Sequence, residues 1–146
     1  MSASLSWVVA LRAVLQGDDS AIAEPGSKLY DEETKTWASQ RNLKPKILVR
    51  PRNTEQLSNL LHYLNTAEVL DFGIRSGGIG SSSAKDILIS LSAFDELSFD
   101  AKTETITIGA GQTWSEVDRK LEEQAPGYAG MLAGTNKATS APTYIN

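Results

Sequence analysis

The part of this sequence best suited to chemistry is GIRSGGIGSSS, residues 73–83, which holds four glycines and four serines. A loop binds phosphate closely when backbone N–H groups point inward and no side chains block the approach. Residues 76–81 can supply such groups, serine hydroxyls add donors, and Arg75 adds a countercharge. The stretch is neither a P-loop, because G-x-x-x-x-G-K-[ST] is absent, nor a Rossmann turn, because a strand follows it. Taken alone, it is either a phosphate-binding loop or a flexible Gly/Ser loop.

No other residues of the sequence combine into a convincing catalytic or metal site. His62 is the only histidine and cysteine is absent, so a zinc site with N/S ligands cannot be assembled. A Ser-His-Asp triad would also depend on His62, which lies off the apolar stripe of its helix and is predicted to be solvated. Solvated faces are likewise predicted for the acidic groups Asp18–Asp19, Asp31–Glu33 and Glu122–Glu123.

The elements around the loop favour a binding role. Short apolar runs predict buried strands at residues 47–50, 70–75 and 87–91. Leucines spaced at i, i+3, i+4 and i+7 predict a helix after the first strand, capped by Asn53 or Thr54 with Gln56 as an approximate capping-box partner. The first two strands are expected to be parallel. A flexible linker seldom lies between two apolar strands of one compact unit, whereas a binding loop does.

Further elements flank this unit. The spacing of apolar residues predicts an amphipathic helix over residues 4–16, followed by a polar loop over 17–28. Tyr30 and Trp37 are expected to dock an irregular segment onto the domain. Alternation predicts a hairpin at about 96–109, with Ile106 and Ile108 on one face. A helix at 113–124 follows, opened by a Thr113/Glu116 capping box. The predicted fold class is α/β (α+β), a small sheet with flanking helices.

Length and composition exclude several classes of protein. The chain has 146 residues, about one domain, and a formal net charge of −4, which argues against a nucleic-acid partner. The N-terminal stretch lacks a basic region before its apolar run, and Arg12 interrupts that run, so neither a signal peptide nor a membrane span is expected. The expected location is cytoplasmic.

A series of motifs in fixed order carries a family resemblance. P-x-N-T-E-Q-L-x-x-L-L is followed by F-G-I-R-S-G-G, D-I-L-I-S-L-S-A-F-D-E-L-S-F-D, T-I-T-I-G-A-G-Q-T-W-S-E-V and L-E-E. The series resembles the N-terminal half of the PCMH-type FAD-binding domain of oxygen-dependent FAD-linked oxidoreductases, the vanillyl-alcohol oxidase and berberine-bridge-enzyme type. The lead-in EPGSKLYDEETKTWASQRNLKPKILVRP is also similar to that family's entry segment, so the resemblance covers residues 24–124. Members are abundant in fungal natural-product pathways.

The resemblance implies that FAD is the cofactor and that one loop wraps its pyrophosphate. It assigns cofactor binding to Arg75, Ser76, Gly77, Gly78, Ile79, Gly80 and Ser81. It also implies that residues 109–111 pass near the cofactor. Many members carry a flavin-linking histidine where this sequence has Ile79, and some use a cysteine, which this sequence lacks. Any FAD is therefore expected to be held non-covalently.

The family's chains are much longer, so the resemblance also implies a truncated member. The expected division is an N-terminal helix and lead-in segment (1–43), a partial FAD-binding domain (44–125) and an irregular tail (126–146). Two functions stay open. One is an FAD-linked oxidoreductase of secondary metabolism, with a small-molecule substrate and unknown catalytic residues. The other is a non-catalytic fragment, pseudoenzyme or partner-binding module, with a partner chain that completes the FAD cleft.

Overall fold

The structure, a computed structural model, describes residues 3–36, 38–67, 71–76 and 83–128. Its helices are α1 (Ala3–Val14), α2 (Lys28–Glu33), α3 (Thr54–Thr66) and α4 (Trp114–Gln124), with 3-10 turns at Asp19–Ala21 and Ser39–Arg41. Its strands are β1 (Ile22–Ala23), β2 (Ile47–Val49), β3 (Phe72–Arg75), β4 (Ile87–Ser90), β5 (Leu97–Asp100) and β6 (Thr105–Ile108). The α/β (α+β) class is confirmed.

The main sheet has the strand order β1-β2-β4-β3. β4 pairs in parallel with both β2 and β3, and β1 pairs antiparallel with β2. The predicted parallel orientation of the first two strands is therefore correct, and β4 lies between them. β2 and β4 are the two interior strands, which explains their continuous apolar runs ILV and ILIS, because strands covered on both faces need not alternate.

Two hydrophobic layers cover the two faces of this sheet. One layer joins α1 and α3 to the sheet through Leu11, Leu15, Leu60, Leu64, Ile47, Val49, Ile87 and Ile89. The opposite layer packs Tyr30 of α2 and Ala23 of β1 on Leu48 and Leu88. Each fully buried aliphatic side chain contributes about 1.5–3 kcal/mol to folding, so these layers hold the parallel strands in register.

The hairpin and the last helix form a smaller unit, as predicted. β5 and β6 pair antiparallel, and Ile106 and Ile108 point to the face that packs on Trp114 and Val117 of α4. Thr113 caps α4, and its capping box with Glu116 is complete. Asn53 caps α3 by accepting from the N–H of Gln56 at 2.8 Å.

The segment before β2 is more ordered than the sequence predicts. The expected polar loop over residues 17–28 contains a 3-10 turn and β1, and the expected irregular segment contains α2. Tyr30 docks that segment as expected, whereas Trp37 lies outside the described residues, as do residues 129–146 of the predicted tail. In the described ranges, no helix combines the length and the apolar character that crossing a membrane requires.

Candidate functional site

Three parallel strands end at one edge of the main sheet. Arg50 directly follows β2, Ser90 ends β4, and Arg75 ends β3 opposite Ser90. We call the set Arg50, Ser90 and Arg75 the carboxyl edge. Ligands of open parallel sheets bind outside the carboxyl ends of the strands, and the predicted phosphate loop begins here at Ser76.

Arg75 is buried at this edge, with 6% of its surface exposed. Its Nη1 donates a hydrogen bond to the backbone carbonyl of Glu33 in α2. Burial lowers the pKa of Arg75, and the negative charge of Glu33 acts in the opposite direction. A guanidinium stays protonated in proteins, so Arg75 supplies a fixed positive charge at the start of the loop.

The Glu33 side chain is also part of the carboxyl edge. Its carboxylate accepts from the Ser90 hydroxyl at 2.7 Å and from the Ser92 hydroxyl at 2.5 Å. Arg50 Nη1 lies 3.9 Å from the same carboxylate. The prediction of a solvated acidic face is therefore wrong for Glu33, because only 18% of its side chain is exposed. No sequence pattern links Glu33 to these serines, because they lie 57 and 59 positions later in the chain.

Residues 109–111 lie beside the start of the loop. Ser76 donates its hydroxyl to the carbonyl of Ala110. The glycines on either side of Ala110 allow the backbone to pack closely. A β-carbon on Gly109 would lie 2.3 Å from the Phe94 carbonyl oxygen, and a β-carbon on Gly111 would lie 2.2 Å from the Leu91 carbonyl oxygen. These contacts hold the exit of the hairpin against the carboxyl edge.

A cavity of about 450 Å³ opens between the carboxyl edge and α4. Its wall includes Arg75, Ser76, Gly111 and Gln112. The Gln112 amide is buried; its Nε2 donates to the Glu96 carbonyl at 2.6 Å, and its Oε1 accepts no hydrogen bond from any described residue. The volume lies within the range of about 300–1,000 Å³ common for small-molecule sites.

The charges around this cavity are mixed. The cations are Arg75, Arg119 and Lys120, and the carboxylates are Glu32, Glu33, Asp95 and Glu116. Three positive and four negative side chains give no general attraction for an anion.

Only two of the seven predicted cofactor-binding residues can be placed. Arg75 and Ser76 lie together at the carboxyl edge, whereas Gly77, Gly78, Ile79, Gly80 and Ser81 lie outside the described residues. His62 is exposed on α3, as predicted. The described ranges contain no cluster of three or more His, Cys, Asp or Glu side chains able to hold a metal ion.

Comparison with known proteins assigns this geometry to a family. Residues 45–140, about two thirds of the chain, match the family model described as FAD binding domain. The FAD-dependent monooxygenase macF of Penicillium terrestre is 33% identical over 100 residues, which cover 64% of this chain and 18% of that protein. The D-lactate dehydrogenase of Archaeoglobus fulgidus is 26% identical over 119 residues, covering 78% of this chain and 26% of that protein.

Solved structures show the same fold. A variant of berberine bridge enzyme superposes with a TM-score of 0.64 at 21% identity, covering 79% of this chain and 26% of that one. The xylooligosaccharide oxidase of Myceliophthora thermophila gives 0.61 at 15% identity, covering 78% and 25%. The chain thus spans about a quarter or less of the relatives described here. By the match over residues 45–140, the chain belongs to the FAD binding domain family, with FAD as its cofactor and the fold of berberine-bridge-enzyme-like oxidoreductases.

Proposed function

We propose that this chain binds FAD without a covalent bond, with the FAD diphosphate at the carboxyl edge. We further propose that the protein acts as an FAD-linked oxidoreductase on a small-molecule substrate. One observation carries the proposal: Arg75 and Ser76 stand where three parallel strands end, beside a cavity, at the first residues of a Gly/Ser-rich loop. Backbone N–H groups of such a loop and a fixed cation suit a diphosphate.

The described residues fit this cofactor. Arg75 supplies a permanent positive charge in a buried position, where water screens it weakly. The buried Oε1 of Gln112, which lacks a protein donor in the described structure, is a further polar group beside the cavity. Hydroxyl and amino groups of a dinucleotide are donors of the kind that such an oxygen accepts.

The roles proposed for the chain are binding and orientation. Arg75, Ser76 and residues 77–81 would hold the diphosphate, and residues 109–112 would form the opposite wall. When bound, FAD supplies a ring that accepts a hydride from the substrate and is reoxidised by O₂, which is chemistry of the cofactor itself. With Ile79 at the position of the flavin-linking histidine and no cysteine in the sequence, attachment would depend on non-covalent contacts alone.

The test is retention and release of flavin. The 146-residue chain is purified with FAD, desalted and examined for flavin absorbance, then denatured with acid. We expect yellow protein before denaturation and all flavin in the supernatant afterwards. A folded but colourless protein contradicts FAD binding, and flavin that stays with the precipitate contradicts non-covalent attachment.

A matched pair of variants assigns the binding to the carboxyl edge. Arg75→Gln is expected to weaken FAD binding at least about tenfold, because hydrogen bonds to charged groups contribute about 1.5–3 kcal/mol. Arg41→Gln makes the same charge change at an exposed position and is expected to bind FAD like the unaltered chain. Equal weakening in both variants would show a general charge effect and contradict the assignment. If Arg75→Gln does not fold, Ser76→Ala is the substitute.

A second candidate is a partner-binding module. β3 is the last strand of the main sheet in the described structure, and its Phe72 and Ile74 are 43% and 42% exposed. Neighbouring exposed apolar side chains on a sheet suit a protein surface that covers them. In this proposal, a partner chain completes the FAD cleft. Strong binding of a hydrophobic dye favours this candidate, and clean monomeric behaviour without dye binding contradicts it.

Three sequence predictions remain proposals. A role in secondary metabolism agrees with the fungal relative macF, which is an FAD-dependent monooxygenase. We also propose a cytoplasmic location and a division of the chain at residues 43/44 and 125/126. Cell fractionation tests the location, and limited proteolysis tests the division.

A further inference from the structure

Glu33 connects α2 to the ends of all three parallel strands. Its carboxylate accepts from Ser90 at the end of β4 and from Ser92 just beyond that strand, and it lies 3.9 Å from Arg50 after β2. Its backbone carbonyl accepts from Arg75 at the end of β3. A single residue of the lead-in segment, 42 positions before Arg75, therefore contacts the ends of all three strands.

The neighbouring Glu32 shows that this arrangement is specific to Glu33. The Glu32 side chain is 55% exposed, and its carboxylate lies 3.9 Å from Lys28 Nζ along the same helix. Such an exposed pair contributes little to structure. Glu33, with 18% of its side chain exposed, faces two hydroxyl donors and one guanidinium from other elements.

We propose that Glu33 is a positioning residue for cofactor binding, because it holds the Arg75 guanidinium and the carboxyl edge in a fixed arrangement before FAD arrives. The inference rests on the proposed FAD-binding function. A long cationic side chain that is already ordered loses less conformational freedom on binding, so affinity rises. The Glu33 backbone carbonyl accepts from Arg75, and the Glu33 carboxylate, held by Ser90 and Ser92, fixes the position of that carbonyl.

The first test needs no FAD. Trypsin must take the Arg75 guanidinium into its own pocket, so the rate of cleavage after Arg75, measured against cleavage after Lys102 in the exposed hairpin turn, reports how firmly Arg75 is held. We expect Glu33→Ala to raise this ratio at least about tenfold. In Glu33→Gln, the amide can still accept from one serine and donate to the other. Its cleavage ratio is therefore expected to stay within about threefold of that of the unaltered chain. Glu122→Ala, an exposed carboxylate on α4, is the matched control.

The second test measures FAD affinity by quenching of flavin fluorescence, well below the unfolding temperature of every variant. Glu33→Ala is expected to weaken binding about tenfold, and Glu33→Gln less than about threefold. The double variant Ser90→Ala/Ser92→Ala, which removes both donors and leaves α2 intact, is expected to reproduce Glu33→Ala. It also replaces Glu33→Ala if that variant fails to fold.

The possible outcomes separate the two proposals. An unchanged cleavage ratio and unchanged affinity in Glu33→Ala overturn the positioning role and leave FAD binding intact. A lower unfolding temperature with unchanged affinity shows a purely structural role and also overturns it. Failure of the unaltered chain to bind FAD overturns the proposed function, and the cofactor role of Glu33 with it.

Discussion

Gly111 and Leu91 approach so closely that no side chain fits between them: a β-carbon on Gly111 would lie 2.2 Å from the Leu91 carbonyl oxygen. The same glycine donates its N–H to the Phe94 carbonyl at 2.8 Å. The loop between β6 and α4 therefore packs directly on the loop between β4 and β5. Family resemblance connects this glycine with the cofactor. This close contact explains why glycine is required at position 111 whether or not a ligand is bound.

Gly111→Ala is expected to lower the free energy of unfolding by about 1–3 kcal/mol, as overpacking commonly does. The backbone of Gly111 is not left-handed, so the loss comes from the clash alone. Gly73→Ala is the control, since its β-carbon would lie 3.2 Å from the Ser83 carbonyl oxygen and needs only a small adjustment. Urea unfolding of both variants measures the difference, and equal losses would contradict the prediction.

Thr113→Ala is expected to lower the free energy of unfolding by about 1 kcal/mol, because it removes the side-chain cap of α4. Thr113 Oγ1 accepts from the N–H of Glu116 at 3.4 Å, and the Thr113 N–H donates to the Glu116 carboxylate at 2.8 Å. Ser115→Ala, at an exposed position in the first turn of the same helix, is expected to change the free energy of unfolding by no more than about 0.5 kcal/mol. Thermal unfolding followed by circular dichroism gives both values. A Ser115→Ala loss as large as that of Thr113→Ala would show that the cap has no special role.

The sequence predicted those elements whose signal is local. The hairpin and α4 follow from alternation, helical spacing and the Thr113/Glu116 box, and the buried strands follow from short apolar runs. β1 has only two residues and α2 only six, too few for a periodic signal. Their order comes from tertiary contacts, chiefly the pairing of β1 with β2 and the packing of Tyr30 on Leu48 and Leu88.

The sequence predicted only those residues of the candidate site that are adjacent to one another in the chain. Arg75 and Ser76 were identified because they begin a recognisable loop. Glu33 was misjudged because its partners lie 57 and 59 positions later, and composition carries no information about such distant pairs. Gln112 was missed for the same reason, since its amide donates a hydrogen bond to the Glu96 carbonyl, 16 positions earlier in the chain.

Tyr30→Phe tests the docking of the lead-in segment. The Tyr30 hydroxyl donates to the Pro45 carbonyl at 2.5 Å in a buried position, and burial raises the pKa of Tyr30, so the hydroxyl stays a donor. Phenylalanine keeps the ring packing and leaves the carbonyl without this donor, at an expected cost of about 1–3 kcal/mol. Tyr63→Phe on the half-buried face of α3 is the control. Equal, small losses in urea unfolding would contradict the importance of this bond.

Asp86 gives the protein a defined pH dependence. The hydrogen bond from Lys46 Nζ at 2.7 Å is the main cause that lowers the pKa of Asp86 below its ordinary 3.8, and the Asp71 N–H adds a bond at 3.1 Å. Since the folded pKa is depressed, the stabilisation is complete above pH 3.8 and is lost as the pH falls through the folded value.

Asp86→Asn is therefore expected to be less stable than the unaltered chain by about 1 kcal/mol at neutral pH, a modest value because Lys46 is half exposed. The difference should shrink towards zero in acid, where Asp86 of the unaltered chain is protonated and its bond to Lys46 is lost. Asp118→Asn, with the same charge change on the exposed side of α4, should show no such convergence. Urea unfolding across a pH series measures both curves. A difference between Asp86→Asn and the unaltered chain that persists undiminished in acid would show that packing, rather than the carboxylate charge, is responsible.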